Sequence, residues 1–291
     1  QKAQIVSLIR LSGHIVGYIG DGVNDVPALT SADVGIVVDS AAAESKKVAD
    51  LVLLERDLGV VAEGVSEGRT SFANASKYIR IASSSNFGNI CSVAASSIFL
   101  PFVPATATQL LLLNLCYDAT CLALSWDNVD DVEIARPKAW SGKGLGSFML
   151  HFGFASSAFD IITFAILFLG VCPAVCGAPF AALDAAGRAA FIATFQAGWL
   201  LECAWTESLV LLVLRTRSVR DGDRPCTPLV VMVVVMLVIT ALLALSPVAQ
   251  LLGLATLPLW YLGIVVVLNV LYLVVASTIK RAYLSRSSSL F

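Results

Sequence analysis

Charged side chains are scarce in this chain of 291 residues, and they set the first limit on what it can be. Only 14% of its residues are charged and 57% are hydrophobic. An average soluble domain has roughly 25% charged residues. The composition excludes an ordinary soluble domain and indicates a membrane protein. The net charge of −2 says nothing about partners.

Two further features are absent. The polar, helix-periodic beginning, residues 1–11, lacks the apolar core of a secretory signal peptide, so we expect insertion through internal segments. The seven cysteines are odd in number and lie mostly inside apolar runs, which argues against a disulfide framework. Cys172 and Cys176 are the exception, because they share one predicted outer loop and could bridge, bind a metal or stay unpaired.

Apolar runs long enough to cross a bilayer, which takes about 20 residues, fill most of the chain after the polar beginning. They predict six transmembrane helices, at about 84–103, 106–125, 148–171, 191–214, 229–249 and 259–279. The segment before them, 61–83, has a helical pattern and no proline, which predicts one long stalk helix that continues into the first run. Residues 280–291 are the predicted tail.

Basic residues alternate between the two ends of these runs. One set of ends carries Arg69, Lys77, Arg80, Arg136, Lys138, Lys143, Arg215, Arg217, Arg220, Arg224, Lys280, Arg281 and Arg286. The opposite loops hold only Arg188. The positive-inside rule therefore predicts that both termini are cytoplasmic. Because the basic residues never gather on one face, the sequence argues against binding of nucleic acid.

The polar loop at residues 20–25, Gly-Asp-Gly-Val-Asn-Asp, carries the clearest chemistry. The apolar run 15–19 predicts a short buried strand before it, and the glycines allow a sharp turn at the carboxyl end, where α/β sheets bind ligands. Asp21, Asn24 and Asp25 offer the hard oxygen ligands that Mg²⁺ takes when it also holds phosphate. An ordinary Asp-Gly turn is the alternative. Residues 32–38 predict a second strand and 41–49 a helix.

Polar side chains inside the apolar runs point to a second site, because such groups are costly in a membrane. Asn86 and Asn89 lie in the first run, and Asn114 and Asp118 are spaced i, i+4 in the second. Amide and carboxylate oxygens suit a hard divalent cation, although hydrogen bonds between helices are the alternative reading. The roles of three further acidic residues stay open: they could be secondary ligands, part of a proton path or a structural pair. These residues are Asp160, Glu202 and Glu207.

Residues 2–57 resemble the end of the phosphorylation domain of P-type ATPases. That family carries Gly-Asp-Gly-x-Asn-Asp-x-Pro-Ala-Leu followed by Ala-Asp-Val-Gly, and both stretches stand here without a gap. The resemblance implies that residues 1–60 are the remainder of a haloacid-dehalogenase-like α/β domain. It also implies that Lys2 neutralises phosphoryl oxygens, that Asp21 binds a catalytic Mg²⁺, and that Asn24 and Asp25 complete that shell. For Lys2 alone, a solvated lysine at the start of a helix is the alternative.

Several stretches are similar to the magnesium-transporting subfamily of P-type ATPases: 69–74, 77–79, 84–89, 114–118 with 127–131, and 195–199. This implies an α-helical six-helix bundle in the inner membrane that moves Mg²⁺ into the cytoplasm through an aspartyl-phosphate cycle driven by ATP. Asn86, Asn89, Asn114 and Asp118 would then form part of the transport site, and a helix absent from this chain would supply the rest.

The family's phosphorylated Asp-Lys-Thr-Gly-Thr motif does not occur in the chain. Neither the Thr-Gly-Glu loop nor a nucleotide-binding domain is visible. We therefore expect the carboxy-terminal third of a longer pump, which depends on the rest of that pump and the lipid bilayer and is inactive alone. The alternatives are a pump for Ca²⁺ or H⁺, or a non-catalytic membrane remnant that acts by binding partners.

Overall fold

A computed structural model describes residues 1–138, 142, 144–216 and 224–286. The chain divides into two compact units, with the boundary after Gly68. The basic residues Lys143, Arg217 and Arg220 and the last part of the predicted tail, 287–291, lie outside the described residues.

The first unit contains a small parallel sheet. Its elements are α1 (Lys2–Leu11), β1 (Gly17–Ile19), α2 (Val26–Ser31), β2 (Val34–Val38), α3 (Ala43–Val48) and β3 (Leu51–Leu53). The strands lie in the order β1-β2-β3, with Tyr18 opposite Gly35 and Val37 opposite Val52. Parallel strands need crossover connections, which α2 and α3 provide. The three carboxyl ends therefore meet at one edge of the sheet.

The predicted strand at 15–19 is partly wrong. The strand begins two residues later, at Gly17, and it is not buried: Ile15 is 86% exposed and Ile19 is 43% exposed. The reason is its place at the edge of the described sheet, where only β2 pairs with it. The strand and helix predicted at 32–38 and 41–49 are confirmed as β2 and α3.

The second unit is helical. Its elements continue with α4 (Leu58–Phe99, which begins in the first unit), α5 (Ala107–Leu122), α6 (Asp131–Ile134), α7 (Leu145–Cys176), α8 (Ala185–Leu214), α9 (Thr227–Leu245) and α10 (Leu259–Arg286). The uninterrupted helix predicted for 61–83 is confirmed within α4. Pro101 follows its end, as expected of a residue that cannot continue a helix.

Among the described residues, five helices are long and apolar enough to cross a membrane: α5 with its 3₁₀ continuation to Trp126, α7, α8, α9 and α10. The first predicted span, 84–103, is not among them. Its part of α4 carries polar residues such as Ser84, Ser85, Asn86 and Asn89, which lower its hydropathy. A membrane position for this part of α4 stays a prediction.

The loop predicted at 172–187 begins later than expected. Cys172 and Cys176 lie in the last turns of α7 rather than in a loop, and both are free. Pro173 is accommodated at the start of a helical segment that directly follows a π-helical turn, Leu167–Val171, where regular backbone bonding is already interrupted. The two sulfurs therefore belong to one helix.

Helix α8 forms the centre of the second unit. Phe191, Phe195 and Trp199 on this helix are all buried in the main apolar cluster. Gly198 permits close approach of α7, because a Cβ at this position would lie 2.4 Å from Cδ2 of Leu167. This packing places the acidic residues of α8 deep inside the bundle.

Candidate functional site

The polar loop follows the end of β1 and folds back on itself. A single 3₁₀ turn, Val23–Asp25, leads into α2, which has a proline in its first turn. The turn brings Asp25 against the loop: a Cβ on Gly20 would lie 2.7 Å from the Cβ of Asp25. Only glycine fits there.

Asp25 is buried and fully engaged. Its Oδ1 accepts hydrogen bonds from Nζ of Lys2 at 2.7 Å and from the hydroxyl of Tyr18 at 2.8 Å. Its Oδ2 faces the backbone N–H groups of Asp21 and Gly22, each at 3.4 Å. The contact to Lys2 fixes the start of α1 beside the loop. The carboxylate of Asp25 is thus an anchor for a lysine.

These contacts shift the pKa values of both Asp25 and Lys2. The hydrogen bond from Lys2, with that from Tyr18, lowers the pKa of Asp25 from 3.8 to about 2. The same hydrogen bond and the charge of Asp25 raise the pKa of Lys2. Both groups are therefore charged at neutral pH. The side chain of Lys2 remains 58% exposed, so a phosphoryl group from solution can reach its ammonium.

Asp21 and Asn24 are exposed at the same loop. Asp21 borders a cavity of 310 Å³ at the carboxyl ends of all three strands, which contribute Ile19, Val38 and Leu53 to its lining. A hydrated Mg²⁺ needs only one or two protein carboxylates. The exposed Asp21 fits that requirement, whereas the oxygens of Asp25 already have partners.

Sequence reasoning missed Tyr18, Arg56 and Asp57. Arg56 and Asp57 complete the lining of the 310 Å³ cavity, and Tyr18 holds Asp25. A tyrosine in a strand and a charged pair before a helix carry no local sign of such contacts. Their positions follow from the parallel pairing of the strands.

The four predicted transport ligands do not lie in one cluster. Asn89 is buried, while Asn86, Asn114 and Asp118 are exposed on the surface of the second unit. Asp118 accepts a hydrogen bond from the hydroxyl of Tyr78 at 3.3 Å. Tyr78 is eleven residues before Asn89, which is about 16 Å along a helix.

A cleft of 630 Å³ lies at Asp118. It is lined by polar groups of Asn74, Tyr78 and Ser125 and by apolar side chains such as Leu115 and Leu122. A carboxylate at the wall of an open cleft can reach a cation from solution.

Asn89 belongs to a buried network instead. Its amide donates to Glu207 on α8 at 2.9 Å, and its Oδ1 accepts from the thiol of Cys203 at 3.4 Å. Asp160 and Glu202, whose roles the sequence left open, are buried in the same region. The structure thus places these acidic residues in the bundle interior.

A third polar cluster joins the middle of α4 to the segment after α5 and to the end of α8. Asp127, with 0% of its side chain exposed, accepts from Lys77 at 3.0 Å and from Nε of Arg215 at 2.8 Å. Asn74 donates to the backbone oxygen of Asp127 at 2.8 Å. One carboxylate therefore ties α4 to the end of α8. The sequence offered Lys77 and Asp127 only as parts of a motif, with no sign that they pair.

Comparison with known proteins agrees with both units. Residues 3–65 match the family model of haloacid dehalogenase-like hydrolases, and residues 102–282 match that of the C-terminus of cation transporting ATPases. The fold and the loop therefore define a membrane protein that carries part of a haloacid-dehalogenase-like domain. The chain belongs to the family of cation-transporting ATPases.

Two relatives cover essentially the whole chain. The magnesium-transporting ATPase, P-type 1, of Salmonella typhimurium is 40% identical over 292 residues, and that of Escherichia coli K12 is 40% identical over 287. These alignments cover 100% and 98% of this chain but only 31% and 30% of the relatives, so the chain spans about three tenths of their length. An endoplasmic reticulum calcium ATPase of Aspergillus fumigatus is 33% identical over 151 residues, which is 51% of this chain and 16% of that protein.

Proposed function

We propose that the chain is part of an ATP-driven P-type pump that moves Mg²⁺ into the cytoplasm through an aspartyl-phosphate cycle. The observation that carries this proposal is the exposed carboxylate of Asp21 beside the Lys2–Asp25 ion pair. It stands in a chain that is similar along its whole length to magnesium-transporting ATPases.

In this proposal Lys2 and the residues of the loop have separate roles. Asp21 and Asn24 hold the catalytic Mg²⁺ from the exposed side of the loop, and that ion neutralises phosphate charge when bound. Asp25 holds Lys2 in its charged form, and Lys2 presents its ammonium to the phosphoryl oxygens. Phosphoryl transfer depends mainly on such positioning and charge neutralisation. The nucleophilic aspartate and the ATP-binding domain belong to another part of the pump, so the chain alone hydrolyses no ATP.

Four ligands were predicted for the transport site of the proposal, Asn86, Asn89, Asn114 and Asp118, and Asn89 among them is held by Glu207 instead. Three of them are exposed in the described structure, which leaves their oxygens accessible to a further helix of the same pump. Asp118 at the 630 Å³ cleft is the one carboxylate of this set. It supplies the negative charge that a divalent cation requires.

We further propose an inner-membrane location with both ends of this chain in the cytoplasm. The five apolar helices and the predicted span at 84–103 together make six crossings, an even number that returns the chain to its starting side. The described basic residues Arg136, Lys138 and Arg224 lie in connections on one predicted side, as the positive-inside rule requires.

Transport by the full-length pump in proteoliposomes tests the cation. We expect ATP-dependent uptake of Mg²⁺, loss of that uptake in Asp118→Asn, and normal uptake in the matched control Glu63→Gln, an exposed carboxylate of α4. Uptake of Ca²⁺ in place of Mg²⁺ would favour the second candidate, a calcium pump. The partial similarity to a calcium ATPase supports that candidate. Saturable Mg²⁺ uptake by Asp118→Asn would show that the site lies elsewhere.

A further inference from the structure

Three buried carboxyl side chains have no part in the proposed transport site. Asp160 on α7 is 3% exposed, and Glu202 and Glu207 on α8 are 1% and 3% exposed. The ion pairs of the described residues include none of the three. No basic side chain therefore neutralises them in the part of the chain that the structure describes.

Asp160 joins three helices. Its Oδ1 accepts a hydrogen bond from the indole N–H of Trp199 on α8 at 2.8 Å, and its Oδ2 lies 2.5 Å from the hydroxyl oxygen of Ser92 on α4. Trp199 and Glu202 are three residues apart on one helix, so they share a face. Because Trp199 binds Asp160, Glu202 lies on the side of α8 that faces Asp160.

The hydroxyl of Thr206 has two oxygen neighbours but only one hydrogen to donate. Its oxygen lies 2.7 Å from Oε1 of Glu202 and 3.3 Å from Oδ1 of Asn269. The amide of Asn269 donates to the backbone oxygen of Val265 at 2.9 Å, which turns its Oδ1 toward Thr206. A hydroxyl has one hydrogen, and an amide oxygen cannot donate. A proton on Glu202 would satisfy both contacts.

Ser92 shows the same shortage. Its hydroxyl oxygen lies 2.9 Å from the backbone oxygen of Gly88, the usual acceptor for a serine inside a helix, and 2.5 Å from Oδ2 of Asp160. When Ser92 donates to Gly88, only a proton on Asp160 can fill the second contact. The backbone oxygen of Gly88 also accepts from Ser157 at 2.8 Å, so this count is less strict than that at Thr206.

Oxygens without partners surround the same place. Oε2 of Glu202 and Oε2 of Glu207 are buried and accept no hydrogen bond within the geometric limits from the described residues. An ionised carboxylate in such an environment is far more costly than a neutral carboxyl. These orphaned oxygens are the independent sign that the acidic cluster holds a ligand.

The other titratable groups that face the cluster are all acids. Those on α8, α5 and α10 are Cys203, Glu207, Tyr117, Tyr261 and Tyr272, and Asp118 acts on Glu207 from the open cleft. From α4 the cluster meets the neutral side chains of Asn89 and Ser92. None of these groups supplies a positive charge, so any negative charge on the cluster must be compensated by something that binds there.

We propose that Asp160 and Glu202 form a proton-binding site between α7 and α8, which holds protons in the described state and releases them as the pump moves its cation. Each proton comes from water and converts a carboxylate into a carboxyl that donates to Ser92 or Thr206. Glu207, held by the amide of Asn89, is the adjoining group. The release step rests on the proposed function, whereas proton binding does not.

Infrared spectroscopy of the 291-residue chain in lipid nanodiscs tests the binding step. At neutral pH we expect the carbonyl band of protonated carboxyls, with its isotope shift in D₂O, and partial loss of that band in Asp160→Asn and in Glu202→Gln. The exposed control Glu63→Gln should leave the band unchanged. Absence of the band in the wild type, or a band that neither variant changes, would overturn the site.

Folding is checked in the same samples. Glutamine can donate where a protonated Glu202 donates, so Glu202→Gln should keep the thermal midpoint of the wild type while Glu202→Ala lowers it. If Glu202 were deprotonated, Glu202→Gln should lower the thermal midpoint. In that case the hydroxyl of Thr206 already donates to Glu202, and the glutamine amide would have no acceptor there. If Asp160→Asn does not fold, the glutamine variant and its infrared band decide alone.

The release step is measured with the full-length pump in proteoliposomes that contain a pH-sensitive dye. ATP-driven Mg²⁺ uptake should be accompanied by proton movement in the opposite direction, which Asp160→Asn should remove. Mg²⁺ uptake without proton movement would overturn the release step. Loss of all transport in the wild type, with the infrared band intact, would instead count against the proposed pump and leave the proton site standing.

Discussion

The two units of this protein hold their carboxylates in opposite ways. In the first unit Asp21 is exposed, and Asp25 is buried but pairs with a lysine that is 58% exposed. In the second unit Asp127 is fully buried between Lys77 and Arg215, each with 2% of its side chain exposed. An accessible carboxylate is therefore free to bind ligands, whereas one that is enclosed with basic partners fixes helices.

The energetic consequence follows from solvent. Water screens the Lys2–Asp25 pair because Lys2 is exposed, so the net contribution of this pair to stability is small. In a bundle interior, removal of one partner leaves the other charge without compensation. Removal of a buried, paired carboxylate of the second unit should therefore affect stability far more than removal of a carboxylate in the first.

The largest effect is expected at Asp127. We expect Asp127→Ala to lower the free energy of unfolding by about 3–5 kcal/mol, because two buried cations lose their partner. Equilibrium unfolding in detergent micelles measures this change. The control Glu63→Ala, on an exposed face, should stay near the wild-type value, and an equally small loss for Asp127→Ala would contradict the comparison.

A steric change inside the bundle should rank second. Gly198→Ala puts a methyl group 2.4 Å from Leu167, and overpacking of this kind costs about 1–3 kcal/mol. Gly263→Ala on α10 is the matched control, since a Cβ there meets nothing within 4 Å. The same thermal midpoint in both alanine variants would show that α7 and α8 are not in close contact.

A smaller and pH-dependent effect is expected at Asp25. Its pKa in the folded chain, about 2, is below the ordinary value of 3.8, so its contribution to stability is present above that ordinary value and is lost as pH falls through about 2. Lys2→Gln should raise the pKa of Asp25 toward the ordinary value, because it removes the main cause of the shift. Carbon-13 NMR titration of this carboxyl measures it. Lys47→Gln, an exposed lysine on α3, should have no effect.

The smallest effect on stability is expected at Asp21, with the largest on catalysis. Asp21→Asn should change the free energy of unfolding by no more than about 0.5 kcal/mol, as is usual at exposed sites. In the full-length pump it should suppress phosphoenzyme formation, because a charge that binds Mg²⁺ is removed. Phosphorylation with normal Mg²⁺ dependence in this variant, with Glu44→Gln as the exposed control, would rule out the proposed role.

Local patterns were sufficient for the regular elements. The apolar stretch before residue 38 predicted β2, and the proline-free pattern before the first apolar run predicted the continuous helix now seen in α4. The pattern failed at β1, since apolar residues do not reveal whether a strand lies at a sheet edge. It also failed at Cys172, because a π-helical turn lets α7 continue past the point where the proline predicted a loop.

The candidate sites divide in the same way. The loop at residues 20–25 was evident because its glycines and carboxylates are neighbours in the chain. The contacts of Asp25 with Lys2 and Tyr18 were not evident, because Lys2 is 23 positions away in the chain and Tyr18 is seven positions away. Asn89 was recognised as a polar group in an apolar run, but its pairing with Glu207, 118 residues later, was invisible.

The class of this protein can be read from local sequence: a phosphate-chemistry loop is followed by a series of apolar helices. Composition and local spacing carry that information, because turn geometry and bilayer thickness act on consecutive residues. Which acidic residues face solution and which are enclosed depends on how the helices pack, and local sequence does not reveal it. Asp118 lies at an open cleft while Asp160 and Glu202 are enclosed, because the close packing of α4, α7 and α8 excludes water from one group of carboxyls and not from the other.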